Sequence, residues 1–226
     1  FTLADLPEAA QMPGAARDAL LLRVIGSPDP YGKQTDGMGG ATSSTSKTVI
    51  LSGSERPDHD VDYLFGQVSI DRPFVDWSGN CGNLTAAVGS FAISSGLVDA
   101  ERQGRVAERL VERIRARDMH LSTGFLGTKD LMLVLSQIGR HDVAWQLLTN
   151  DTFPSWGFSI RHGATSIWER WDGWTPEKGF QTPGMNSFNH YAYGAIGKWL
   201  YQVVAGIGID PEQPGYKHIL IHPRPG

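Results

Sequence analysis

The pattern of the chain changes at one stretch, Gly96-Leu97-Val98-Asp99-Ala100. Before it lie short runs of strand-like character, at residues 48–51 and 61–77. After it, residues 101–117 carry apolar side chains on one helical face, and Asp99 is placed to cap that helix. The sequence therefore predicts an α+β half, residues 1–99, joined to a mostly α half, residues 100–226, with a short C-terminal strand.

The composition is that of a folded, mildly acidic chain. Its 226 residues suffice for one domain or two small ones, and 40% of them are hydrophobic. A net charge of −4 gives no attraction to nucleic acid or anionic lipid. No apolar run approaches the roughly 20 residues of a membrane span, and the N-terminus has no signal-peptide pattern. With Cys81 as the one cysteine, we expect a cytoplasmic protein without disulfides.

The spacing of apolar residues, and glycines that can end a helix, predict where the helices lie. Residues 15–25 are predicted to form a helix that ends at Gly26, and residues 128–138 one that ends at Gly139. Residues 142–149 are predicted to form a third helix. We expect Ser187 to cap a long, aromatic-rich helix that runs to about residue 205, and residues 217–223 to form a strand.

A tryptophan-rich segment carries the first candidate site, Ile167-Trp168-Glu169-Arg170-Trp171-Asp172-Gly173-Trp174. A carboxylate between large flat rings suits a sugar site, because pyranose C–H faces pack on aromatic rings. The alternative is a tryptophan-rich turn in a helical core with a surface ion pair. Composition alone favours that alternative.

The second candidate site joins Lys47 and Cys81. Lys47 follows a glycine-rich, hydroxyl-rich loop at residues 36–46, which lacks the spacing of a nucleotide phosphate loop and is otherwise a surface loop. Cys81 lies directly before an apolar helical pattern, where a thiol can serve as acid or base in proton transfer; the alternative is a buried cysteine. The acidic run at residues 58–62 fits no standard metal site, so we expect neither metal nor cofactor.

The N-terminal residues resemble the PrpF-type isomerases, such as 2-methylaconitate isomerase and 4-oxalomesaconate tautomerase. The resemblance is carried by residues 25–32, 39–47, 56–63 and 76–83. It implies part of a diaminopimelate-epimerase-like fold and a 1,3-proton shift on an unsaturated tricarboxylate. Lys47 and Cys81 would be the acid and base, and the loop that binds the substrate anion would hold Asn80, Gly82 and Asn83. Because the family's first substrate loop and its second half have no counterpart here, we expect weakened positioning of the substrate.

Residues from about 99 to 226 resemble the bacterial α-L-rhamnosidases. The resemblance is carried by residues 120–128, 165–173, 184–191 and 214–219. It implies part of an (α/α)6 barrel, with Glu169 as the general base of an inverting hydrolysis. His190 would bind rhamnose, and Trp168 and Trp171 would shape the pocket. No residue matches the family's general acid, which inverting hydrolysis also requires.

Three functions follow from these two resemblances. An α-L-rhamnosidase-like fragment that lacks its acid ranks first, because it covers more of the chain. The PrpF-like isomerase is second, since both of its acid/base positions are present. The third is a catalytically inactive chimeric or engineered chain, and we hypothesise a join of two parents near residue 99.

Overall fold

The computed structural model describes all 226 residues. Contacts divide the chain into two compact units, Phe1–Thr85 and Ala86–Gly226. No helix in either unit is both long and apolar enough to cross a membrane. The predicted α+β content is confirmed, with helices and small antiparallel sheets along the chain.

Two helices open the N-terminal unit, α1 at Glu8–Gln11 and α2 at Ala15–Ile25. The prediction for residues 15–25 is confirmed. Helix α2 ends because Gly26 adopts a left-handed conformation with φ of 84°, and a Cβ there would lie 2.9 Å from the backbone nitrogen of Gly37. Apolar side chains of α2, including Leu21 and Ile25, are buried.

A three-stranded antiparallel sheet completes this unit. Its strands are β1 at Lys47–Gly53, β2 at Val61–Val68 and β3 at Val75–Asp76, in the order β1-β2-β3. The predicted strand at residues 48–51 is confirmed, whereas the run at 61–77 is divided by a turn in which the Ser69 amide donates to the Phe74 carbonyl at 2.9 Å. Ile50 of β1 packs with Leu21 of α2 in the core. The sheet thereby fixes the backbone at Lys47, which pairs with Gln67.

Short helices lead into the C-terminal unit. The first is α3 at Gly82–Ala86, followed by α4 at Val88–Ser94 and the long α5 at Ala100–Arg115. The predicted cap is confirmed, because the Asp99 side chain accepts a hydrogen bond from the Arg102 amide at 2.8 Å. Val106, Val111 and Ile114 of α5 are buried, as its apolar face predicted.

Four further helices build the core of this unit: α6 at Phe125–Gln137, α7 at His141–Thr149, α8 at Trp156–Arg161 and α9 at Ile196–Trp199. The predicted helices at 128–138 and 142–149 are confirmed, the first beginning three residues early. Leu135, Ala144, Leu147 and Trp199 meet at the centre of the core. Two hairpins complete the unit, β4 at Trp174–Thr175 with β5 at Gly179–Phe180, and β6 at Ile207–Ile209 with β7 at Ile219–Ile221.

The helix predicted after a cap at Ser187 is wrong in its first four residues, 188–191. Helical structure begins only at Ala192–Ala195, as a 3₁₀ turn, and continues through α9 into a π-helical turn at Leu200–Val204. The Ser187 amide donates instead to the Glu169 carboxylate at 2.8 Å, and its carbonyl accepts from the Glu169 amide at 2.8 Å. These contacts with a distant segment hold the backbone of Ser187 outside a helix, which local capping preference does not foresee.

Candidate functional site

Glu169 is a buried carboxylate that the backbone holds in place. Glu169 is only 8% exposed, and its Oε2 accepts the Ser187 amide hydrogen at 2.8 Å. A second hydrogen bond connects the same two segments: the His190 amide donates to the Ile167 carbonyl at 2.8 Å. The segment around Glu169 and the segment from Ser187 to His190 therefore run side by side, and Oε1 is left to meet another group.

The two predicted tryptophans lie in an aromatic cluster around this segment. Trp168 is buried and meets Phe188 edge to face, with ring centroids 5.2 Å apart. Trp171 stacks on Tyr193 at 3.8 Å and meets Trp156 edge to face at 5.2 Å. The indole nitrogen of Trp171 also donates to the Thr123 carbonyl at 2.9 Å. Trp171 is thus held by three neighbours, and Trp168 by its burial and its contact with Phe188.

A cavity of about 270 Å³ lies beside this cluster. It is slightly smaller than the range of roughly 300–1,000 Å³ usual for ligand pockets. Seven of its lining residues are apolar or aromatic: Trp156, Ile160, Ala164, Ile167, Trp168, Trp171 and Tyr193. Neither Glu169 nor His190 lines the cavity, so it brings together only two of the four residues predicted for this site.

His190 lies in the segment that pairs with the Glu169 segment, but its ring has its own neighbours. The ring stacks on Tyr191 at 5.3 Å and is tilted against Phe125 at 5.7 Å. Its Nδ1 accepts the Ala192 amide hydrogen at 3.3 Å, which leaves Nε2 for a ligand.

Arg170 and Asp172 form a bidentate ion pair at the edge of the cluster. Arg170 donates to the two carboxylate oxygens of Asp172 at 2.9 and 2.8 Å. These hydrogen bonds lower the pKa of Asp172 and raise that of Arg170. Because Asp172 stays ionised near neutral pH, it is unsuited to donate a proton to a leaving group.

Tyr193 and Asn186 are parts of this site that sequence reasoning did not single out. Burial, and secondarily the charge of Asp172, raises the pKa of Tyr193 well above its ordinary range, so its hydroxyl stays protonated. Asn186 is buried; its amide nitrogen donates to the Gly173 carbonyl at 3.1 Å, while Oδ1 has no partner. A Cβ on Gly173 would lie 2.6 Å from that oxygen, which explains a glycine there.

Lys47 and Cys81 meet in the N-terminal unit. Lys47, at the start of β1, donates through Nζ to Cys81 Sγ at 3.7 Å, although the residues are 34 positions apart. Both are partly exposed. The structure therefore brings together the two groups predicted as acid and base.

The remaining predicted residues lie just before α3 and in its first turn. The Asn80 side chain accepts the Cys81 amide hydrogen at 2.7 Å and the Thr85 hydroxyl hydrogen at 3.1 Å. Asn80, Gly82 and Asn83 are exposed. Asn80 thus fixes the cysteine backbone, and Gly82 and Asn83 are exposed residues at the start of α3.

Gln34 organises the glycine-rich loop before Lys47 and was not foreseen. It is 1% exposed, and its Oε1 accepts from the Ala41 amide at 2.7 Å and the Ser46 hydroxyl at 2.8 Å. Its Nε2 donates to the Ser27 hydroxyl at 2.8 Å. No local pattern marks this residue, since its partners lie up to 12 positions away.

Two family models match the chain. The model of the PrpF protein family matches residues 1–124, and that of the bacterial α-L-rhamnosidase six-hairpin glycosidase domain matches residues 67–204. The chain belongs to both families. The PrpF match covers the N-terminal part, the rhamnosidase match the C-terminal part, and the two overlap over residues 67–124.

Curated relatives divide in the same way. The 2-methyl-aconitate isomerase of Cupriavidus necator is 85% identical over 102 residues, which are 45% of this chain and 26% of that protein. An α-L-rhamnosidase of Streptomyces avermitilis is 54% identical over 134 residues, 59% of this chain and 13% of that protein. The chain therefore spans about a quarter or less of the length of these relatives.

Solved structures of α-L-rhamnosidases match this chain in fold. The crystal structure of Streptomyces avermitilis α-L-rhamnosidase complexed with L-rhamnose matches with a TM-score of 0.59 and 50% identity. The match covers 62% of this chain and 14% of that one. An Aspergillus terreus α-L-rhamnosidase gives the same TM-score at 34% identity, covering 62% of this chain and 16% of its own.

Proposed function

We propose that the C-terminal part of the chain acts on α-L-rhamnosides by inverting hydrolysis, with Glu169 as the general base. The observation that carries this proposal is the buried carboxylate whose Oε2 is fixed by the Ser187 amide at 2.8 Å. A general base must be oriented toward its water, and one fixed oxygen leaves Oε1 for that task. The likeness to a rhamnosidase structure in complex with L-rhamnose supports the substrate class.

The other residues have supporting roles in this proposal. His190 would bind a rhamnose hydroxyl through Nε2, since its Nδ1 accepts the Ala192 amide hydrogen. Trp168 and Trp171 would shape the pocket through the faces that line the cavity. Helices α5 to α9 would correspond to part of an (α/α)6 barrel. We assign no residue to the general acid, because the Asp172 carboxyl is held ionised by Arg170.

Hydrolysis of p-nitrophenyl α-L-rhamnoside tests this function. We expect slow release of p-nitrophenol that is abolished in Glu169→Gln. The matched control is Glu177→Gln, which makes the same change at an exposed glutamate of the same unit and should leave the rate unchanged. Absence of release, or equal rates in both variants, would refute the hydrolase. Protection by L-rhamnose in a thermal melt then separates a sugar-binding chain from one that binds nothing.

A PrpF-like isomerase is the second candidate, favoured by the contact of 3.7 Å between Lys47 Nζ and Cys81 Sγ. Removal of a proton by one group and return by the other would shift a double bond in an unsaturated tricarboxylate of aconitate type. Asn80, Gly82 and Asn83 would hold a carboxylate of that substrate. The N-terminal part would then be a portion of a diaminopimelate-epimerase-like fold.

The isomerase is tested by the ultraviolet absorbance of trans-aconitate. We expect a change with the wild-type chain that is lost in Lys47→Ala and in Cys81→Ala. Lys33→Ala, at an exposed lysine of the same unit, is the control. A constant absorbance with the wild-type chain would exclude this function, and failure of both assays would select the third proposal, an inactive chimeric or engineered chain.

We also propose that the PrpF-like and rhamnosidase-like sequences are joined near residue 99, which gives domains at 1–99 and 100–226. A separate proposal is that the protein is cytoplasmic. The overlap of the family matches over residues 67–124 supports a join within that range. Limited proteolysis followed by mass spectrometry tests it. Cleavage near residue 99 into two resistant fragments is expected, and a single uncleaved unit would contradict it.

A further inference from the structure

The thiol of Cys81 is fixed in place but left open on one side. Its backbone amide donates to Asn80 Oδ1 at 2.7 Å, and its carbonyl accepts from the Thr85 amide and hydroxyl, both at 2.9 Å. The loop thus fixes the main chain at Cys81, while Sγ meets only the Lys47 ammonium group at 3.7 Å. The residue is half-buried, and the flanking Asn80 and Gly82 are exposed.

The amine of Lys47 is equally well placed. Its backbone is held in β1 by pairing with Gln67, and the Gln67 side chain donates to the Ser46 carbonyl at 2.8 Å. Lys47 forms no ion pair that would draw it away from the thiol. Two nucleophiles therefore face each other from two fixed backbones.

We propose that Cys81 and Lys47 form an acyl-transfer pair that accepts acyl groups from small thioesters. In the first step the Cys81 thiolate attacks the thioester carbonyl, a new C–S bond to Sγ forms, and the C–S bond to the donor breaks. The donor thiolate takes up a proton from the Lys47 ammonium group and leaves as a free thiol, so the Lys47 amine becomes neutral. In the second step the neutral amine of Lys47 attacks the same carbonyl carbon. A C–N bond forms, the bond to Sγ breaks, and the amine proton passes to the departing thiolate.

The distance suits the second step. A carbonyl carbon bonded to Sγ can lie closer to Nζ than Sγ itself, which is 3.7 Å away. A separation of roughly 3–3.5 Å between Nζ and that carbon, the near-attack range, is therefore within reach of the acylated pair. Transfer within the pair is intramolecular, and this gives Lys47 an advantage that no other lysine shares, because Cys81 is the one cysteine of the chain.

This inference goes beyond the isomerase and does not depend on it. It concerns a covalent modification of Lys47, which ends as a neutral amide. Under the isomerase proposal the same modification would remove one of the two proton-transfer groups, so acylation would switch that site off.

The test uses the full chain with S-acetyl-N-acetylcysteamine, a small thioester, at about pH 8.5, where more of a typical lysine is neutral. The protein is digested with a protease that does not cut at lysine, and acetylation of each lysine is followed by mass spectrometry. We expect Lys47 to be acetylated about tenfold faster or more than exposed Lys33. In Cys81→Ser the rate at Lys47 should fall to that of Lys33.

A second measurement avoids any effect of the substitution on folding. Wild-type protein whose thiol has first been alkylated with iodoacetamide should also lose the fast acetylation of Lys47. The proposal is overturned if Lys47 reacts no faster than Lys33, if blocking the thiol leaves its rate unchanged, or if acetyl accumulates on Cys81 without passing to Lys47. None of these readouts requires isomerase activity, so failure of one proposal is distinguishable from failure of the other.

Discussion

Replacement of Glu169 separates a catalytic role of its carboxylate from a structural one. The carboxylate accepts a hydrogen bond of 2.8 Å from the Ser187 amide and is almost fully buried. In Glu169→Gln the amide oxygen still accepts that bond, so we expect a cost of about 1 kcal/mol for losing the charge. In Glu169→Ala the bond is lost and a cavity remains, and we expect a cost of about 2–4 kcal/mol.

The loss of catalytic rate in the two variants is not expected to follow their loss of stability. A general base contributes about 10²–10⁴ to a rate, and neither glutamine nor alanine can supply one. Both variants should therefore lose hydrolysis of p-nitrophenyl α-L-rhamnoside by about a hundredfold or more, despite their unequal stabilities. Urea unfolding followed by near-ultraviolet circular dichroism measures the stabilities, and release of p-nitrophenol measures the rates.

The outcome that would refute this reasoning is a rate that falls in step with stability. If Glu169→Gln keeps most of the wild-type rate while Glu169→Ala loses it, the carboxylate serves to hold the segment at Ser187 and is not a base. The control variant Glu177→Gln should match the wild type in both measurements.

Three further changes test the local structure. Gln34→Ala removes hydrogen bonds to the Ala41 amide and the Ser46 hydroxyl, and should cost about 2–4 kcal/mol; hydrogen exchange of the β1 amides should accelerate, and unchanged exchange would contradict it. Asp99→Ala removes the cap of α5 and should cost about 1 kcal/mol in thermal unfolding, while Asp99→Asn, which keeps an acceptor, should cost less. Asp172→Asn removes an ion pair whose carboxyl pKa is lowered from its ordinary 3.8 by Arg170. A carboxyl whose pKa is lower in the folded than in the unfolded protein stabilises the fold at pH values above its unfolded pKa. Because the pair is partly exposed, Asp172→Asn should lower the free energy of unfolding by at most about 1 kcal/mol at neutral pH. In urea unfolding at acid pH, the difference from the wild type should vanish.

Features with a local cause were predictable from the sequence. Gly26 and Gly139 end their helices because each takes a positive φ, of 84° and 77°, that glycine adopts without strain. Asp99 caps α5 with its own side chain three residues from the amide that it binds. In each case the signal and the structure lie within one turn of helix, so neighbouring residues suffice.

Features that depend on distant contacts were not predictable in the same way. Ser187 is by its residue type a good helix cap, but its amide donates a hydrogen bond to the Glu169 carboxylate, 18 positions earlier. No sequence pattern marks Gln34. Its side chain organises the loop at residues 36–46 only because that loop folds over it and hydrogen-bonds to it. Lys47 and Cys81 could be paired from the sequence only through a family resemblance, since 34 residues separate them.

The two candidate sites share a design in which the main chain fixes the reactive group and leaves one atom open. At Cys81 the Asn80 and Thr85 side chains hold the backbone, and Sγ is open; at Glu169 the Ser187 amide holds Oε2, and Oε1 is open. Every residue assigned to the first site lies in Phe1–Thr85, and every residue assigned to the second lies in Ala86–Gly226. Neither site borrows a side chain from the other unit. Each candidate site can therefore be tested by substitutions within its own unit.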